Sequence, residues 1–173
     1  MAAATSELVD VVDEGDMVVG SSSLSDCLQR GTLHRAVAVL VWRGRSDVLL
    51  QQRSKSDDWQ PGLWTLSCTG HVKKGESYED AAKRELAEEL GISPDVRLDS
   101  KTLLPPIRCG SLTEREWTAL FVAHSDGRIT ADPVELEGVK EVGLGGLRQM
   151  TRRGELTEDA AILLAKYFGA RLG

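Results

Sequence analysis

The segment from Ala36 to Trp42 is almost wholly apolar and reads Ala-Val-Ala-Val-Leu-Val-Trp. It ends at the polar stretch Arg43 to Ser46, and a short apolar run with such a boundary is typical of a strand that is buried on both faces. Residues Val48 to Gln52 have the composition of a partner strand. A sheet with both faces covered needs helices on those faces, so this pair predicts an α/β fold.

Periodicity and turn-forming residues predict the other elements of the chain. Ser77 is an expected N-cap and Gly91 an expected left-handed terminator of the helix between them. The expected strands and helices are a hairpin formed by Leu8 to Val12 and Met17 to Val19, strands at Leu63 to Thr69, Val96 to Leu103 and Trp117 to His124, and helices at Ser77 to Leu90 and Glu158 to Ala170. The expected surface loops are Ser21 to Ser25, Asp126 to Glu137 and Gly143 to Gly146.

The length and the composition predict one globular domain that covers residues 1–173. The chain has 173 residues, 41% of them hydrophobic and 28% charged, which is ordinary for a globular protein. No segment approaches the roughly 20 apolar residues that a membrane span requires. The first 16 residues have no basic flank and meet acidic residues early, which argues against a secretory signal. We therefore expect a cytoplasmic protein without a membrane partner.

The charge and the cysteines narrow the possible partners. A formal net charge of -6 gives no electrostatic attraction for the backbone of a long nucleic acid, but small anions can still bind if a cation reverses the local charge. Cys27, Cys68 and Cys109 are an odd number without paired spacing, so reduced thiols are expected rather than a disulfide framework or a zinc ribbon.

Three glutamates share one face of the expected helix at Ser77 to Leu90. Glu85, Glu88 and Glu89 have i,i+3 and i,i+4 spacing, so their carboxylates project from neighbouring positions and repel one another. Such an arrangement is stable in open water or around a hard cation such as Mg²⁺ or Mn²⁺, which binds carboxylates and substrate phosphates. For three acidic residues alone, a solvated helix face is the commoner explanation.

The residues around these glutamates change that balance. Nine positions between residues 70 and 92 fit a spaced pattern of glycine, glutamate, arginine and aliphatic residues, and a chance match over so many positions is improbable. They are Gly70, Glu76, Arg84, Glu85, Leu86, Glu88, Glu89, Gly91 and Ile92. With this pattern the chain resembles the Nudix hydrolase family, and residues 70–92 correspond to the Nudix box. The resemblance implies an α/β/α sandwich in which helices flank a mixed sheet.

The resemblance also implies roles for the box residues. Glu88, Glu89 and the carbonyl of Gly70 would bind Mg²⁺ or Mn²⁺, and Glu85 would be a further ligand or the general base. Arg84 would orient a glutamate, either Glu76 or Glu85, and its alternative is an ordinary surface arginine. The implied reaction is hydrolysis of a diphosphate linkage in a small molecule, because a bound metal neutralises phosphate charge and acidifies water.

Outside the box, the chain is similar to the branch that contains isopentenyl-diphosphate isomerase and related hydrolases. The segments that carry this likeness are His34 to Ala36, Leu49 to Arg53, Pro61 to Thr65, Gly70-His71 and Glu114 to Glu116. The isomerase has an acid/base cysteine directly before Gly-His, where this chain has Thr69. Cys68 lies one position earlier, and a one-residue shift along a strand turns a side chain to the opposite face unless a bulge intervenes. The isomerase also has a degraded box.

The isomerase likeness implies a second metal site. Its candidate ligands are His34, His71, Glu114 and Glu116, with Cys27 where that family commonly has a histidine. The alternatives are a histidine that hydrogen-bonds a loop and edge-strand charges that prevent aggregation.

Several further side chains are candidates for substrate contact. Arg53 could bind a phosphate, and Glu116 could supply a carboxylate opposite the helix. Trp59, Trp64 and Trp117 could stack on a base or cover an isoprenoid, although such residues more often belong to the core or its rim.

Three functions remain open at this point. A Nudix diphosphate hydrolase accounts best for the complete box, whereas the isomerase and a non-catalytic binding domain are alternatives. A binding module would not need Glu85, Glu88 and Glu89 together. The sequence leaves open the substrate, the number of metal ions, the identity of the general base and the oligomeric state.

Overall fold

The computed structural model describes residues 7–133 and 136–172. The strands are β1 (Leu8–Val12), β2 (Val18–Ser23), β3 (His34–Arg43), β4 (Asp47–Arg53), β5 (Trp64–Thr65), β6 (Cys68–His71), β7 (Val96–Leu103), β8 (Ile107–Cys109), β9 (Leu112–Glu114), β10 (Glu116–His124) and β11 (Leu136–Gly143). The helices are α1 (Leu24–Arg30), α2 (Tyr78–Leu90), α3 (Leu144–Arg153) and α4 (Glu158–Phe168), with a 3₁₀ turn at Gly169–Arg171.

Nine of these strands form one mixed sheet around β3. Strand β3 pairs in parallel with β10 and antiparallel with β1, β4 and β6. Strands β7 and β11 pair antiparallel with β10 and β4, while β8 and β9 form a separate two-stranded sheet. The mixed sheet confirms the predicted fold class.

Strand β3 is covered on both faces, as its apolar sequence predicts. Val37 and Val39 face a core that includes Leu86 of α2. Leu40 faces the opposite core, which includes Leu163 of α4 and residues of α3. Leu40 and Leu163 have no exposed surface, and full burial of such a side chain stabilises the fold by about 1.5–3 kcal/mol. Helices therefore flank the sheet in three layers.

Helix α2 has the predicted limits. The hydroxyl of Ser77 accepts a hydrogen bond from the backbone N–H of Asp80, and Gly91 is left-handed with φ 65°. The Gly91 N–H donates to the carbonyl of Ala87, so the last turn of the helix is closed where the glutamates end.

The sheet divides next to α2. Strand β3 pairs with β6 from Ala36 to Val39 but with β4 only at Trp42 and Arg43. Strand β4 therefore diverges from β6, and Gln51 and Gln52 pair with β5 instead. The functional cavity described below contains side chains from both sides of this gap.

Two predicted loops were wrong. Ser21 to Ser25 is not a loop, because β2 continues to Ser23, whose hydroxyl caps α1 through the N–H of Asp26. Gly143 to Gly146 is not a loop either, because Gly143 ends β11 and α3 begins at Leu144. Glycine disfavours a helix, but burial of Leu147 and Met150 outweighs this local preference.

The predicted strand from Leu63 to Thr69 is divided into β5 and β6. The hydroxyl of Ser67, between them, donates to the carbonyl of Leu49 and accepts from the N–H of Val41. Ser67 therefore bonds to both β4 and β3, at the point where the chain passes from β5, which pairs with β4, to β6, which pairs with β3. Strands β8, β9 and β11 and helices α1 and α3 were not predicted, and the end of the expected loop from Asp126 to Glu137 belongs to β11.

Within the described ranges, no helix is long and apolar enough to cross a membrane. Residues 1–6 and 134–135 lie outside the described residues. The first group belongs to the segment that argues against a secretory signal. The second belongs to the expected loop from Asp126 to Glu137.

Candidate active site

Arg84 is the centre of the carboxylate network on α2. Its guanidinium donates to both carboxylate oxygens of Glu76, from Nε at 2.8 Å and from Nη2 at 2.9 Å. Nη1 donates to Glu85 at 2.5 Å and to Glu88 at 3.3 Å, and Nη2 donates to the carbonyl of His71 at 3.1 Å. The sequence predicted that Arg84 would bind either Glu76 or Glu85, and in the structure it is hydrogen-bonded to both.

Glu76 holds Arg84 in place through two hydrogen bonds. Burial acts to raise the pKa of Glu76, but hydrogen bonds from Arg84 and from the N–H of Lys73 outweigh burial, so the pKa lies below its usual range. Glu76 therefore stays ionised and holds the guanidinium in a bidentate pair. Arg84 in turn orients Glu85.

Glu85 packs directly on the backbone of Gly70 in β6. A Cβ atom added at Gly70 would overlap Cδ and Oε1 of Glu85. This contact explains why the position requires a glycine. Burial raises the pKa of Glu85, and hydrogen bonds from Arg84 act in the opposite direction.

Gly70→Ala is expected to impair activity more than folding. The new methyl group would displace the end of the flexible Glu85 side chain, which costs little stability but misplaces a reactive carboxylate. Misplacement by about 1 Å can cost up to about 100-fold in rate, so we expect a loss of about 10- to 100-fold. Turnover and melting temperature should be compared with those of Gly20→Ala, because no described atom lies within 4 Å of a Cβ at Gly20. Unchanged turnover in Gly70→Ala would contradict the placement of Glu85.

A cavity of about 690 Å³ opens at the gap between β4 and β6. Gly70, Glu85 and Glu89 line it, whereas Glu88 does not and has a side chain that is 57% exposed. The cavity is strongly acidic, because Arg53 and His71 are the only basic residues in the described part of its lining. The same part of the lining contains seven carboxylates, those of Glu7, Asp57, Glu85, Glu89, Glu114, Glu116 and Asp159.

A second group of possible ligands lies in or against the same cavity. One side-chain atom each from His34, His71 and Glu116 lies within 4.8 Å of the others. Nδ1 of His34 lies 2.9 Å from the carbonyl of Thr32 and must donate to it, which leaves Nε2 as the free lone pair of the neutral ring. That Nε2 atom is buried and has no hydrogen-bond partner among the described residues. The donor set fits a divalent metal.

Without a metal, His71 is held as a cation by its neighbours. Burial acts to lower the pKa of His71, but Glu114 and Glu116, at 3.8 and 3.3 Å, raise it to about 10. Burial and the nearby charge of Glu116 raise the pKa of Glu114 to about 7. Metal binding at this group would have to displace the proton of His71.

Cys27 lies apart from this histidine group. It is fully buried in a small apolar cluster with Val9 and Leu24, and it is not part of the metal-ligand group found among the described residues. The structure brings His34, His71, Glu114 and Glu116 together and does not add Cys27.

Cys68 and Thr69 point to opposite faces of the sheet. Strands β3 and β6 pair without a bulge, with Cys68 opposite Val39 and Thr69 opposite Ala38. Thr69 lines the cavity, whereas Cys68 is fully buried in the core below α2. Burial, Glu89 and Glu85 raise the pKa of Cys68 well above its ordinary value. The predicted orientation of this thiol is confirmed.

Arg53 lines the cavity but is already bound within its own loop. Its Nε donates to the carbonyl of Trp59 at 2.7 Å, and its Nη2 pairs with Asp57 at 2.6 Å. Trp59 is nearly buried and also lines the cavity. Trp64 and Trp117 are not among the lining residues, and each lies beside a lysine.

Sequence reasoning missed Asp159. It lies in the first turn of α4, and its side chain lines the cavity near Glu116 and Arg53. Gln60, from the loop between β4 and β5, supports this turn by accepting the N–H of Glu158 with its side-chain oxygen at 3.0 Å. In the sequence, Asp159 looks like an ordinary acidic residue at a helix start, so nothing there distinguished it.

The three-layer fold and the carboxylate network on α2 define a Nudix domain. The family model described as "NUDIX domain" matches residues 32–165, and the chain belongs to the Nudix family. It is 34% identical to isopentenyl-diphosphate Delta-isomerase 2 of Photorhabdus laumondii, over 83% of this chain and 81% of that protein. It is also 34% identical to an uncharacterized Nudix hydrolase of Yersinia pestis, over 79% and 73%.

The fold is also similar to solved structures. The crystal structure of a Deinococcus radiodurans protein aligns with a TM-score of 0.78 at 24% identity, covering 92% of this chain and 98% of that one. The sequence relatives named above include both an isomerase and a protein named as a Nudix hydrolase.

Proposed function

We propose that this protein is a Mg²⁺- or Mn²⁺-dependent hydrolase that cleaves a diphosphate linkage in a small molecule. The observation that carries the proposal is the convergence of Glu85, Glu89 and Gly70 on one cavity, with Arg84 bound to Glu76, Glu85 and Glu88. A solvated helix face would not hold Glu85 and Glu89 out of water.

The carbonyl of Gly70 and the carboxylates of Glu88 and Glu89 would hold the metal, with Glu85 either as a further ligand or as the general base. These are hard oxygen donors of the type that Mg²⁺ and Mn²⁺ prefer. When bound, the metal would neutralise phosphate charge and lower the pKa of a coordinated water. Glu88, whose side chain is largely exposed, would complete the set from the solvent side.

The residues of the chain would then position the substrate and move one proton. Water adds to one phosphorus, the bridging P–O bond breaks, and a carboxylate accepts the proton that the water loses. If Glu85 is not a metal ligand, it is the candidate base, because Arg84 fixes its orientation and burial raises its pKa above the ordinary value. Glu116 and Arg53 are proposed to contact the substrate from the other side of the cavity.

Isopentenyl-diphosphate isomerisation is a second candidate. It is supported by the isomerase relatives and by the His34, His71 and Glu116 group, which fits a metal. Against it stands the position before Gly70-His71, where Thr69 lines the cavity and Cys68 is buried on the other face. An acid/base thiol must reach the proton that it transfers.

Cys68→Ala is expected to retain most of the hydrolytic activity. The thiol does not line the cavity, and the change removes only a small buried group. Turnover should stay within about threefold of wild type, which is far below the loss expected for an acid/base residue. Conversion of isopentenyl diphosphate to its allylic isomer, abolished in Cys68→Ala, would favour the isomerase instead.

A screen of phosphorylated metabolites tests the proposed function. Nucleoside di- and triphosphates, nucleotide sugars, dinucleotides and isoprenoid diphosphates should be incubated with Mg²⁺ and their products identified by mass. We expect at least one to be cleaved at a phosphoanhydride bond. Cleavage of none, with isomerisation of isopentenyl diphosphate, would refute the proposal.

A further inference from the structure

Gln51 of β4 is a polar residue that lines the cavity and is only 2% exposed. Side chains alternate along a strand, so Gln51 points to the same side of the sheet as Leu49, which belongs to the core below α2. Glu85 and Glu89 of α2 line the cavity from this side as well. The amide oxygen Oε1 of Gln51 is buried and has no hydrogen-bond partner among the described residues. A buried acceptor without a donor costs stability, so we expect a molecule bound in the cavity to supply the donor.

A second buried polar atom lies beside Gln51. Thr65 is the cross-strand partner of Gln51 in the antiparallel pair of β5 and β4, so their side chains are neighbours on one face. The preceding Trp64 packs against the opposite core, which also places Thr65 on the α2 side. Thr65 is 1% exposed, and its hydroxyl has no hydrogen-bond partner in the described part of the chain. One small molecule between the two side chains can therefore satisfy both.

The charged groups of the cavity do not supply the donor that Gln51 lacks. Ionised carboxylates only accept hydrogen bonds, and Arg53 and His71 are already paired with carboxylates. The oxygens of a bound diphosphate are acceptors too. A water molecule has two O–H groups and two lone pairs, and a buried water typically makes about three hydrogen bonds to polar groups that lack other partners. Water is therefore the molecule that fits Gln51 and Thr65 together.

We propose that Gln51 and Thr65 hold the water that attacks the diphosphate. This inference rests on the proposed hydrolase function and adds two residues to its site. The water donates one O–H to Oε1 of Gln51 and the other to the carboxylate that acts as the base, and it accepts a hydrogen bond from the hydroxyl of Thr65. Its remaining lone pair is then directed at phosphorus.

The proton balance of this step assigns different roles to the two acceptors. A P–O bond forms from the water, the bridging P–O bond breaks, and the leaving phosphate keeps the electron pair of the broken bond. The carboxylate takes the proton, because an amide oxygen is a far weaker base. Gln51 therefore orients the water and does not titrate, so its contribution is to the geometry of attack.

The test uses the best substrate from the metabolite screen with Mg²⁺ and compares wild type with Gln51→Met, which keeps the length of the side chain but has no amide oxygen. We expect kcat to fall about 10- to 100-fold and KM to stay within about threefold, because the water is oriented for the transition state. The metal-free melting temperature should be at or above that of wild type, since a buried acceptor without a partner is removed. A lower melting temperature with unchanged kcat would show that Gln51 only supports the fold, and would overturn the inference.

Two further variants test which atoms act, and they keep the inference testable if Gln51→Met does not fold. Gln51→Glu keeps an oxygen acceptor, so its kcat should be about tenfold above that of Gln51→Met, while KM rises because the added charge repels the diphosphate. Thr65→Val keeps the shape of the side chain but loses the hydroxyl, and its kcat should fall about 3- to 10-fold. A kcat in Gln51→Glu as low as in Gln51→Met would contradict the role of Oε1.

Gln52→Met is the matched control, because it is the same substitution at the neighbouring position. Gln52 points to the other face of β4, does not line the cavity, and donates from Nε2 to the carbonyl of Gly62 at 2.9 Å. Loss of this bond should lower the melting temperature slightly and leave kcat within about threefold of wild type. A loss of kcat equal to that of Gln51→Met would refute a specific role for Gln51.

The hydrolase function and this inference fail in different ways. If wild type cleaves a diphosphate and folded Gln51→Met has the same kcat, the role of Gln51 is refuted and the hydrolase function stands. If wild type cleaves none of the metabolites in the screen, the hydrolase function is refuted, and the inference about its attacking water is refuted with it.

Discussion

Single replacement of Glu85, Glu88 or Glu89 by Gln is expected to reduce turnover by about 100-fold or more while the metal-free protein stays folded. Gln keeps the size and the helix propensity of Glu but removes a charge that we propose to face metal. Glu85 and Glu89 line the cavity, and Glu88, which does not, is hydrogen-bonded to Arg84. Burial raises the pKa of Glu85, so its ionised form costs stability in the metal-free protein and Gln removes that cost.

Glu79→Gln is the control within the same helix. Glu79 is exposed, pairs with Lys83 at 2.7 Å and lies outside the fixed positions of the box. Its replacement should cost only about 0.2–0.5 kcal/mol of stability and no activity. If the helix face is merely solvated, all four variants should turn over like wild type. That result, with metal-free melting temperatures close to wild type, would refute the catalytic assignment.

Removal of divalent metal is expected to abolish turnover completely. Among the described residues, the cavity presents seven carboxylates but only Arg53 and His71 as basic groups, and both of these are already paired with carboxylates. A diphosphate adds further negative charge, so the cavity would repel it without a cation. Addition of Mg²⁺ or Mn²⁺ after the chelator should restore the rate.

The metal experiment needs a control for unfolding. Circular dichroism in excess chelator should show the same secondary structure as with Mg²⁺. The two apolar cores that stabilise the sheet are built from residues other than the proposed metal ligands. Full turnover of a diphosphate in excess chelator by a folded protein would contradict the metal requirement.

The parts of the fold that follow local rules could be predicted from the sequence. The apolar run of β3, the serine cap of α2 and its terminal glycine each depend on a few neighbouring residues. The spaced box residues identified the part of the cavity that Gly70, Glu85 and Glu89 line. The orientation of Cys68 could also be predicted, because a strand without a bulge alternates its side chains.

The remaining elements depend on contacts that are distant in sequence. Helix α3 begins with Gly145 and Gly146 and has no N-terminal side-chain cap, so its start depends on the burial of Leu147 and Met150. Asp159 enters the cavity because α4 packs across the sheet, and its turn is supported by Gln60, 98 residues before Glu158. Neither contact leaves a local pattern, so helix α3 and the place of Asp159 in the cavity could not be predicted.

The most direct test of the account uses H₂¹⁸O with Mg²⁺ and the best substrate from the metabolite screen. Hydrolysis places one water oxygen on a phosphate product, because a P–O bond forms from water as the bridging bond breaks. We predict that mass spectrometry will find one ¹⁸O atom per cleavage in wild type and almost no labelled product in Glu85→Gln. A product that keeps its diphosphate intact and carries no ¹⁸O, formed equally well by Glu85→Gln, would contradict the account.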